Sequence, residues 1–306
     1  MFTFLKRISL FLITNLAVIG LLGIVMLAIQ FFFPNFLAQF GSMGSILIYA
    51  IVFGFGGSLI SLFLSRWQAK KAYNIILLDT SSLHTVDSKL QTVYETVERI
   101  AKANNITMPE VGYYESAEPN AFATGATKNS ALVAVSTGLL NNMKETEVAW
   151  VVWHEMAHIL NGDMVTLTLI TWVLNTFVIV LSQVAARFIA SFLSRGEESE
   201  GISHVSYMAT YIVLQILFGL LASLIIMWFS RYREYRADLW GATYTSKQNM
   251  LHALRKLQSI TKLERTTQVD HGNLKAFMIT EPDSFFSTHP SLDNRIKALE
   301  ENYKLA

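Results

Sequence analysis

The chain has 306 residues, of which 52% are hydrophobic and 15% are charged, and its formal net charge is +1. Soluble globular domains carry about 25% charged residues, so this composition excludes an ordinary soluble protein and indicates an integral membrane protein. The absence of cysteine excludes a disulfide framework and a thiolate metal site. The near-zero net charge gives no indication of nucleic-acid binding.

Two membrane-spanning helices are predicted first, at about residues 8–33 and 42–65. No charged residue occurs between Arg7 and Arg66, and each segment exceeds the roughly 20 residues needed to cross a bilayer. A cleaved signal peptide is the alternative for the first segment, but that segment is too long and a second apolar segment follows it at once. We therefore expect residues 1–70 to form a transmembrane hairpin.

A small α+β region is predicted after this hairpin. Apolar residues at helical spacing indicate a helix over residues 87–104. Three β-rich runs follow, at residues 110–114, 121–124 and 131–136. Turn signals that begin at Gly125 separate the last two runs, which are predicted to form a hairpin.

The most informative motif is H-E-x-x-H, formed by His154, Glu155 and His158 in a predicted helix over residues 145–160. Residues four positions apart share one helix face, so both imidazoles point the same way. This geometry suits one Zn²⁺ ion held by the two histidines, with Glu155 placed to activate a water molecule. Two unconnected histidines on a helix are the alternative interpretation.

Two further uncharged segments follow, at residues 164–186 and 201–230, with the polar loop 194–200 between them. Both are long enough to span a bilayer, although this second hairpin could instead dip into the membrane and return. The predicted fold is mainly α with a small β-sheet (α+β), with four transmembrane helices in two hairpins. The zincin-like protease domain is expected to occupy residues 71–306, interrupted by the second hairpin at about 164–230.

Basic residues near the ends of the spans predict their orientation, because Lys and Arg concentrate on the cytoplasmic side. In the four-span arrangement three basic clusters fall on one side: Lys6 and Arg7; Arg66, Lys70 and Lys71; and Arg231, Arg233 and Arg236. Arg187 and Arg195 lie at the opposite end and weaken this prediction for the second hairpin. We expect the active site to face the cytoplasm.

A catalytic zinc site needs a third protein ligand and an open position for water. Glu234 is the best candidate, and Asp238 lies one turn further along the same predicted helix, where it can accept a hydrogen bond from the outer nitrogen of a ligating histidine. The alternative is that both carboxylates pair with neighbouring arginines on a solvated face. Two apolar segments separate His158 from Glu234, so an even number of crossings leaves both residues on the same side of the membrane.

Two more helices are predicted towards the end of the chain. Helical character continues through residues 231–243, and Ser246 then caps an amphipathic helix. The last predicted helix begins near Ser291 and runs towards Leu305.

Taken together, these motifs resemble the HtpX-type membrane-bound zinc metalloproteases of bacterial quality control, a family related to the CaaX prenyl endopeptidases. The resemblance covers nearly the whole chain. It is carried by the H-E-x-x-H motif, by R-E-Y-x-A-D at residues 233–238, and by the runs 54–58, 120–125, 132–140, 161–165, 228–231 and 288–296. Trp153 stands where the resemblance leads us to expect a small residue.

The resemblance implies one zinc ion per subunit, with His154, His158 and Glu234 as ligands and Glu155 as the general base. It further implies that His289 stabilises the oxyanion of the tetrahedral intermediate. A surface histidine before Pro290 is the alternative for that residue.

The resemblance also implies that Arg295 lies close to the site, either behind a ligand or in contact with substrate. An extended substrate would pair with an edge segment formed by Asn120, Ala121, Phe122 and Ala123. An ordinary core hairpin with Phe122 buried is the alternative for this segment.

The implied function is hydrolysis of peptide bonds in misfolded or damaged proteins at the bacterial cytoplasmic membrane, as part of a stress response. The expected partners are unfolded protein substrates and the lipid bilayer, without nucleic acid. One alternative is a CaaX-like prenyl-peptide endopeptidase, for which four spans are few. The other is a membrane scaffold without enzymatic activity.

Overall fold

The computed structural model describes residues 41–81, 83, 86–193, 200–244, 246–266 and 289–301, with scattered helical positions between residues 13 and 32. The first predicted span therefore lies largely outside the described residues, as does nearly all of the polar loop 194–200. The elements follow in the order α1 (Gly41–Tyr73), β1 (Ile76–Leu77), α2 (Ser88–Ala103), β2 (Glu110–Tyr114), β3 (Ala121–Thr127), β4 (Ser130–Ser136), α3 (Thr137–Asn142), α4 (Glu145–Asn161), α5 (Asp163–Leu193), α6 (Glu200–Tyr244), α7 (Lys247–Thr266) and α8 (Leu292–Glu300).

A four-stranded mixed sheet lies in the first of two compact units, which is built mainly from Leu62–Thr166 and Met227–Ala306. The strand order is β1-β2-β4-β3, with β2 and β4 parallel and the other two pairs antiparallel. The central strand β4 is apolar on both faces, and Leu132 and Val133 are completely buried. β3 has no strand beyond it among the described residues, so one side of its backbone is free of sheet pairing.

One face of the sheet shares a core with α2 and α4. In α2 the apolar residues recur every three or four positions, which places Val93, Val97 and Ile100 on one face, and all three are fully buried. Burial of each such side chain contributes about 1.5–3 kcal/mol to folding. The helix begins where the Asp87 carboxylate accepts the backbone N–H of Lys89 at 2.8 Å.

The other face carries an aromatic cluster formed by Tyr73 at the end of α1, Tyr114 on β2 and Phe122 on β3. The three ring centroids are 5.0, 5.2 and 5.7 Å apart. Beside this cluster Lys70 donates to both carboxylate oxygens of Glu110 at 3.1 Å. The last turns of α1 are therefore held against the sheet by aromatic packing and by an ion pair.

The second unit comprises Phe11–Ser61 and Leu167–Ile226. Among the described residues, three helical segments are long and apolar enough to cross a membrane: Gly44–Tyr73, Asp163–Ala190 and Val205–Thr243. Within this unit α1 and α5 approach closely at Gly54, where an added Cβ would lie 2.6 Å from Thr176 Oγ1. Small residues permit this kind of close contact between membrane helices.

Some boundaries differ from the sequence prediction. Gly125 lies inside β3 rather than in the turn, with φ 147° next to a register shift between Gly125 and Thr127. This backbone angle favours glycine, which explains why a turn residue occurs within a strand. The two-residue strand β1 was not predicted, since Ile76 and Leu77 are too few to show a periodic pattern.

Candidate metal centre

The motif helix α4 is delimited by its own sequence. At its start the Glu147 carboxylate accepts the backbone N–H of Lys144 at 2.8 Å. At its end Gly162 adopts the left-handed conformation with φ 69° and donates its N–H to the Ile159 carbonyl. His154 and His158 lie in the last two turns and are only 3% and 6% exposed.

The third predicted ligand, Glu234, comes from α6, where its carboxylate contacts His154 on α4. Ala237, between Glu234 and Asp238, is completely buried. Trp153 lies against Trp240, with ring centroids 5.5 Å apart. Trp153 therefore joins the two helices that carry the predicted ligands.

The nitrogen and oxygen atoms of the three predicted ligands converge. His154 Nε2 lies 3.3 Å from His158 Nε2 and 3.2 Å from Glu234 Oε2, and His158 Nε2 lies 3.4 Å from Glu234 Oε1. In a tetrahedral zinc site with bonds of 2.0–2.1 Å, neighbouring ligand atoms are about 3.3–3.4 Å apart. Each of these pairwise spacings fits such a site, with the two histidines approaching different oxygens of the Glu234 carboxylate.

Each histidine has a carboxylate behind its other ring nitrogen. His154 Nδ1 lies 3.0 Å from Asp238 Oδ1, and His158 Nδ1 lies 2.7 Å from Asp163 Oδ2. An Nδ1–H that donates to a carboxylate leaves the Nε2 lone pair free for a metal ion. The sequence predicted a carboxylate at Asp238 behind a ligand, whereas the corresponding position of Asp163 emerges only from the structure.

Arg295 and His289 complete the surroundings of Glu234. Arg295 is 1% exposed and donates through Nε and Nη2 to the two carboxylate oxygens of Asp238, at 2.8 and 2.6 Å. Its Nη2 also lies 3.4 Å from the His154 ring nitrogens. His289 Nδ1 lies 3.2 Å from Glu234 Oε2. The structure thus brings both C-terminal residues to the predicted ligand set.

The carboxylates determine the protonation of the histidines in the metal-free protein. Burial lowers the pKa of His158, but the Glu234 charge and the hydrogen bond to Asp163 outweigh burial and raise that pKa to about 9. For His154, burial and the charge of Arg295 lower the pKa, while Asp238 and Glu234 raise it, and the net shift is upwards. Protons therefore compete with a metal ion for these nitrogens.

The charge balance of the centre fits a divalent cation. Four carboxylates surround the histidines, all 5% exposed or less: Glu155, Asp163, Glu234 and Asp238. Two guanidinium groups oppose them, those of Arg295 and Arg233. With neutral histidines these groups leave a charge of −2, which protons on the histidines offset in the metal-free protein and a divalent cation would neutralise in their place.

The predicted substrate segment consists of Asn120 and the first three residues of β3, a strand that packs against α4. The Asn120 carbonyl accepts the Ser136 N–H at 2.8 Å, so this residue pairs with β4 and not with the free edge. Phe122 is 7% exposed and belongs to the aromatic cluster. The segment therefore lies along a sheet edge, as the substrate-binding interpretation requires, and its phenylalanine is buried, as the alternative interpretation requires.

Comparison with known proteins indicates that the chain is a peptidase. Residues 87–303 match the model of Peptidase family M48. The chain is 48% identical over 299 residues to "Protease HtpX" of Actinobacillus pleuropneumoniae serotype 5b, covering 96% of this chain and 98% of that protein. It is 45% identical over 302 residues to "Protease HtpX" of Tolumonas auensis, covering 97% and 99%.

The crystal structure of S. mikatae Ste24p has a similar fold, with a TM-score of 0.67 at 20% identity, covering 97% of this chain and 66% of that chain. At this level of identity the likeness concerns the fold. Family match, near-complete relatives and the histidine–carboxylate cluster lead to one conclusion: the chain belongs to peptidase family M48 and, with its apolar helices, is a membrane-bound metallopeptidase.

Proposed function

We propose that this metallopeptidase is a zinc-dependent endopeptidase in which His154, His158 and Glu234 hold one zinc ion per subunit. The observation that carries the proposal is the convergence of their donor atoms, with pairwise distances of 3.2–3.4 Å that involve both oxygens of Glu234. Imidazole and carboxylate are ligands that zinc accepts in catalytic sites with two histidines and one glutamate. The carboxylates of Asp163 and Asp238 support it, since they orient the histidines.

Bound zinc would lower the pKa of a coordinated water and polarise the substrate carbonyl. Glu155, adjacent to His154 on α4, takes a proton from the attacking water and delivers it to the leaving amine nitrogen. His289 donates to the oxyanion that develops on the carbonyl oxygen. Arg295 fixes Asp238 by two hydrogen bonds and so holds His154 in position.

The substrate is proposed to pair with the free edge of β3. In an antiparallel ladder, alternate residues point their N–H and C=O groups towards the neighbouring strand. The main-chain carbonyl of Asn120 bonds to Ser136 on β4, so the main-chain N–H and C=O of Phe122 point towards β4 as well. The main-chain groups of Ala121 and Ala123 therefore point towards the free edge. Backbone pairing of this kind holds many sequences, which suits a protease for misfolded proteins.

We further propose a multi-pass arrangement with four spans in the bacterial inner membrane. The domains would be the hairpin 1–70 and the cytoplasmic protease domain 71–306, interrupted at about 164–230. The basic clusters near the span ends support this orientation. For the activity, relatives named "Protease HtpX" that match over nearly their full length support a general protease over the prenyl-peptide alternative.

The test is zinc content and casein cleavage by the purified full-length protein in detergent. Wild type should bind one zinc ion and cleave casein, whereas Glu155→Gln should keep the zinc and lose cleavage. Glu145→Gln, an exposed position on the same helix, is the matched control and should resemble wild type. Cleavage by Glu155→Gln at the wild-type rate would refute the proposed mechanism. Cleavage by a zinc-free wild-type enzyme would refute the proposal that catalysis depends on zinc.

A further inference from the structure

The guanidinium of Arg233 contributes charge to the metal centre, but no hydrogen bond described so far involves it. It precedes Glu234 on α6, and its Nε lies 3.7 Å from Glu234 Oε1, beyond hydrogen-bond distance. Among the described residues, this buried Nε has no hydrogen-bond partner. The side chain nevertheless keeps 17% of its surface exposed, so molecules from outside can reach its other atoms.

Arg295 provides the contrast. Its side chain is 1% exposed, and two of its nitrogens are bound by Asp238. Arg295 lies on the His154 side of the centre, whereas Arg233 Nε lies 3.7 Å from Glu234 Oε1, the carboxylate oxygen that is 3.4 Å from His158 Nε2. The Arg295 guanidinium is thus buried against Asp238, whereas the Arg233 side chain is partly exposed on the His158 side of the centre.

The ion pair between Arg233 and the buried Glu234 carboxylate is favourable, but it does not satisfy the Arg233 Nε–H. A loose contact at 3.7 Å contributes little compared with two-point pairing of the kind Arg295 makes. A peptide bound beside the ligand set would present carbonyl oxygens, and a guanidinium has five N–H donors to offer. Nothing in this contact depends on the substrate side chains.

We propose that Arg233 is a substrate-binding residue that donates hydrogen bonds to a main-chain carbonyl oxygen of the bound peptide, on the His158 side of the metal centre. This inference rests on the proposed function. The proposed contact would hold the substrate main chain at a second point besides its pairing along β3. Because it does not involve substrate side chains, it would not restrict which sequences the enzyme binds.

The experiment measures binding without cleavage. Fluorescent peptides of neutral and of acidic sequence are titrated into zinc-loaded Glu155→Gln protein, alone and combined with Arg233→Gln or with Arg236→Gln. Arg236 is exposed three residues further along α6, so its replacement removes the same charge from the same helix. Zinc content and melting temperature are measured for each variant.

Arg233→Gln should weaken binding about tenfold to a hundredfold, since a hydrogen bond to a charged group contributes about 1.5–3 kcal/mol. The factor should be the same for neutral and acidic peptides, with one zinc ion retained. Arg236→Gln should change binding less than twofold. In the cleaving enzyme, Arg233→Gln should raise KM by the same factor and leave kcat nearly unchanged.

Three outcomes would overturn the inference. Peptide binding that is unchanged in Arg233→Gln would make Arg233 a structural partner of Glu234. The same conclusion would follow if binding fell only in proportion to the zinc that the variant loses. A loss confined to acidic peptides would assign it to substrate carboxylates instead. Failure of the proposed function is distinguishable, because the wild-type protein would then lack zinc or casein cleavage whatever residue stands at position 233.

Discussion

Replacement of Asp163 by Asn tests how the protein tunes its ligands. Asp163 Oδ2 lies 2.7 Å from His158 Nδ1, and the residue is only 2% exposed. The amide keeps the size and an acceptor oxygen but removes the charge. Loss of a partner of this kind lowers metal affinity about 10- to 100-fold, or about 1.4–3 kcal/mol.

A second effect opposes this loss near neutral pH. In the metal-free protein His158 has a pKa of about 9, so at pH 7 zinc must displace a proton at a cost of about 3 kcal/mol. Asp163 is one cause of that high pKa, and Asp163→Asn lowers it. The variant therefore regains part of its lost affinity at pH 7 but none of it above the pKa.

The expected result is a ratio of wild-type to Asp163→Asn zinc affinity that is smaller at pH 7 and reaches about 10 to 100 by pH 9.5. Competition with a chromophoric chelator at several pH values measures it, and the exposed Asp79→Asn serves as control. A ratio that stays constant with pH, or that is largest at pH 7, would refute the assigned role of Asp163.

The metal-free protein should lose stability as pH rises. A pKa raised above the unfolded value of 6.5 gives stability that is complete below pH 6.5 and disappears as pH passes about 9. Its melting temperature should fall between pH 6.5 and 9.5, and an increase would contradict the carboxylate environment of His158. Phe122→Ala should lower the free energy of unfolding by about 3–5 kcal/mol and weaken peptide binding, because the ring is buried between Tyr73 and Tyr114. Phe63→Ala, at a residue 66% exposed, should have little effect in the same denaturation assay, and equal losses would show that the aromatic cluster does not support β3.

The ligand set could be predicted because its signals are local. His154 and His158 share a face of α4 by their spacing alone, and Glu234 and Asp238 share a face of α6 in the same way. Strand β2 and helix α2 were predicted almost to the residue, since apolar periodicity and the capping residue Asp87 are visible in the chain. Each of these features follows from neighbours in sequence.

The remaining features depend on contacts that sequence spacing does not encode. Asp163 could be seen five positions after His158, but its hydrogen bond requires Gly162 to turn the chain back at φ 69°. The pairing of Arg295 with Asp238 joins residues 57 positions apart, and resemblance rather than geometry pointed to it. The sequence does not show which arginine pairs with Asp238. The structure shows that it is Arg295, which leaves Arg233 without a hydrogen bond to that carboxylate.

The contact between Arg295 and His154 spans 141 residues of chain. At a synthesis rate of about 5–20 residues per second, the ribosome adds Arg295 roughly 7–28 s after His154. During that interval Asp238 has no guanidinium to hold it against His154, and His289 has not yet been translated. If Arg295 and His289 have the roles proposed above, proteolytic activity would begin only near the end of translation.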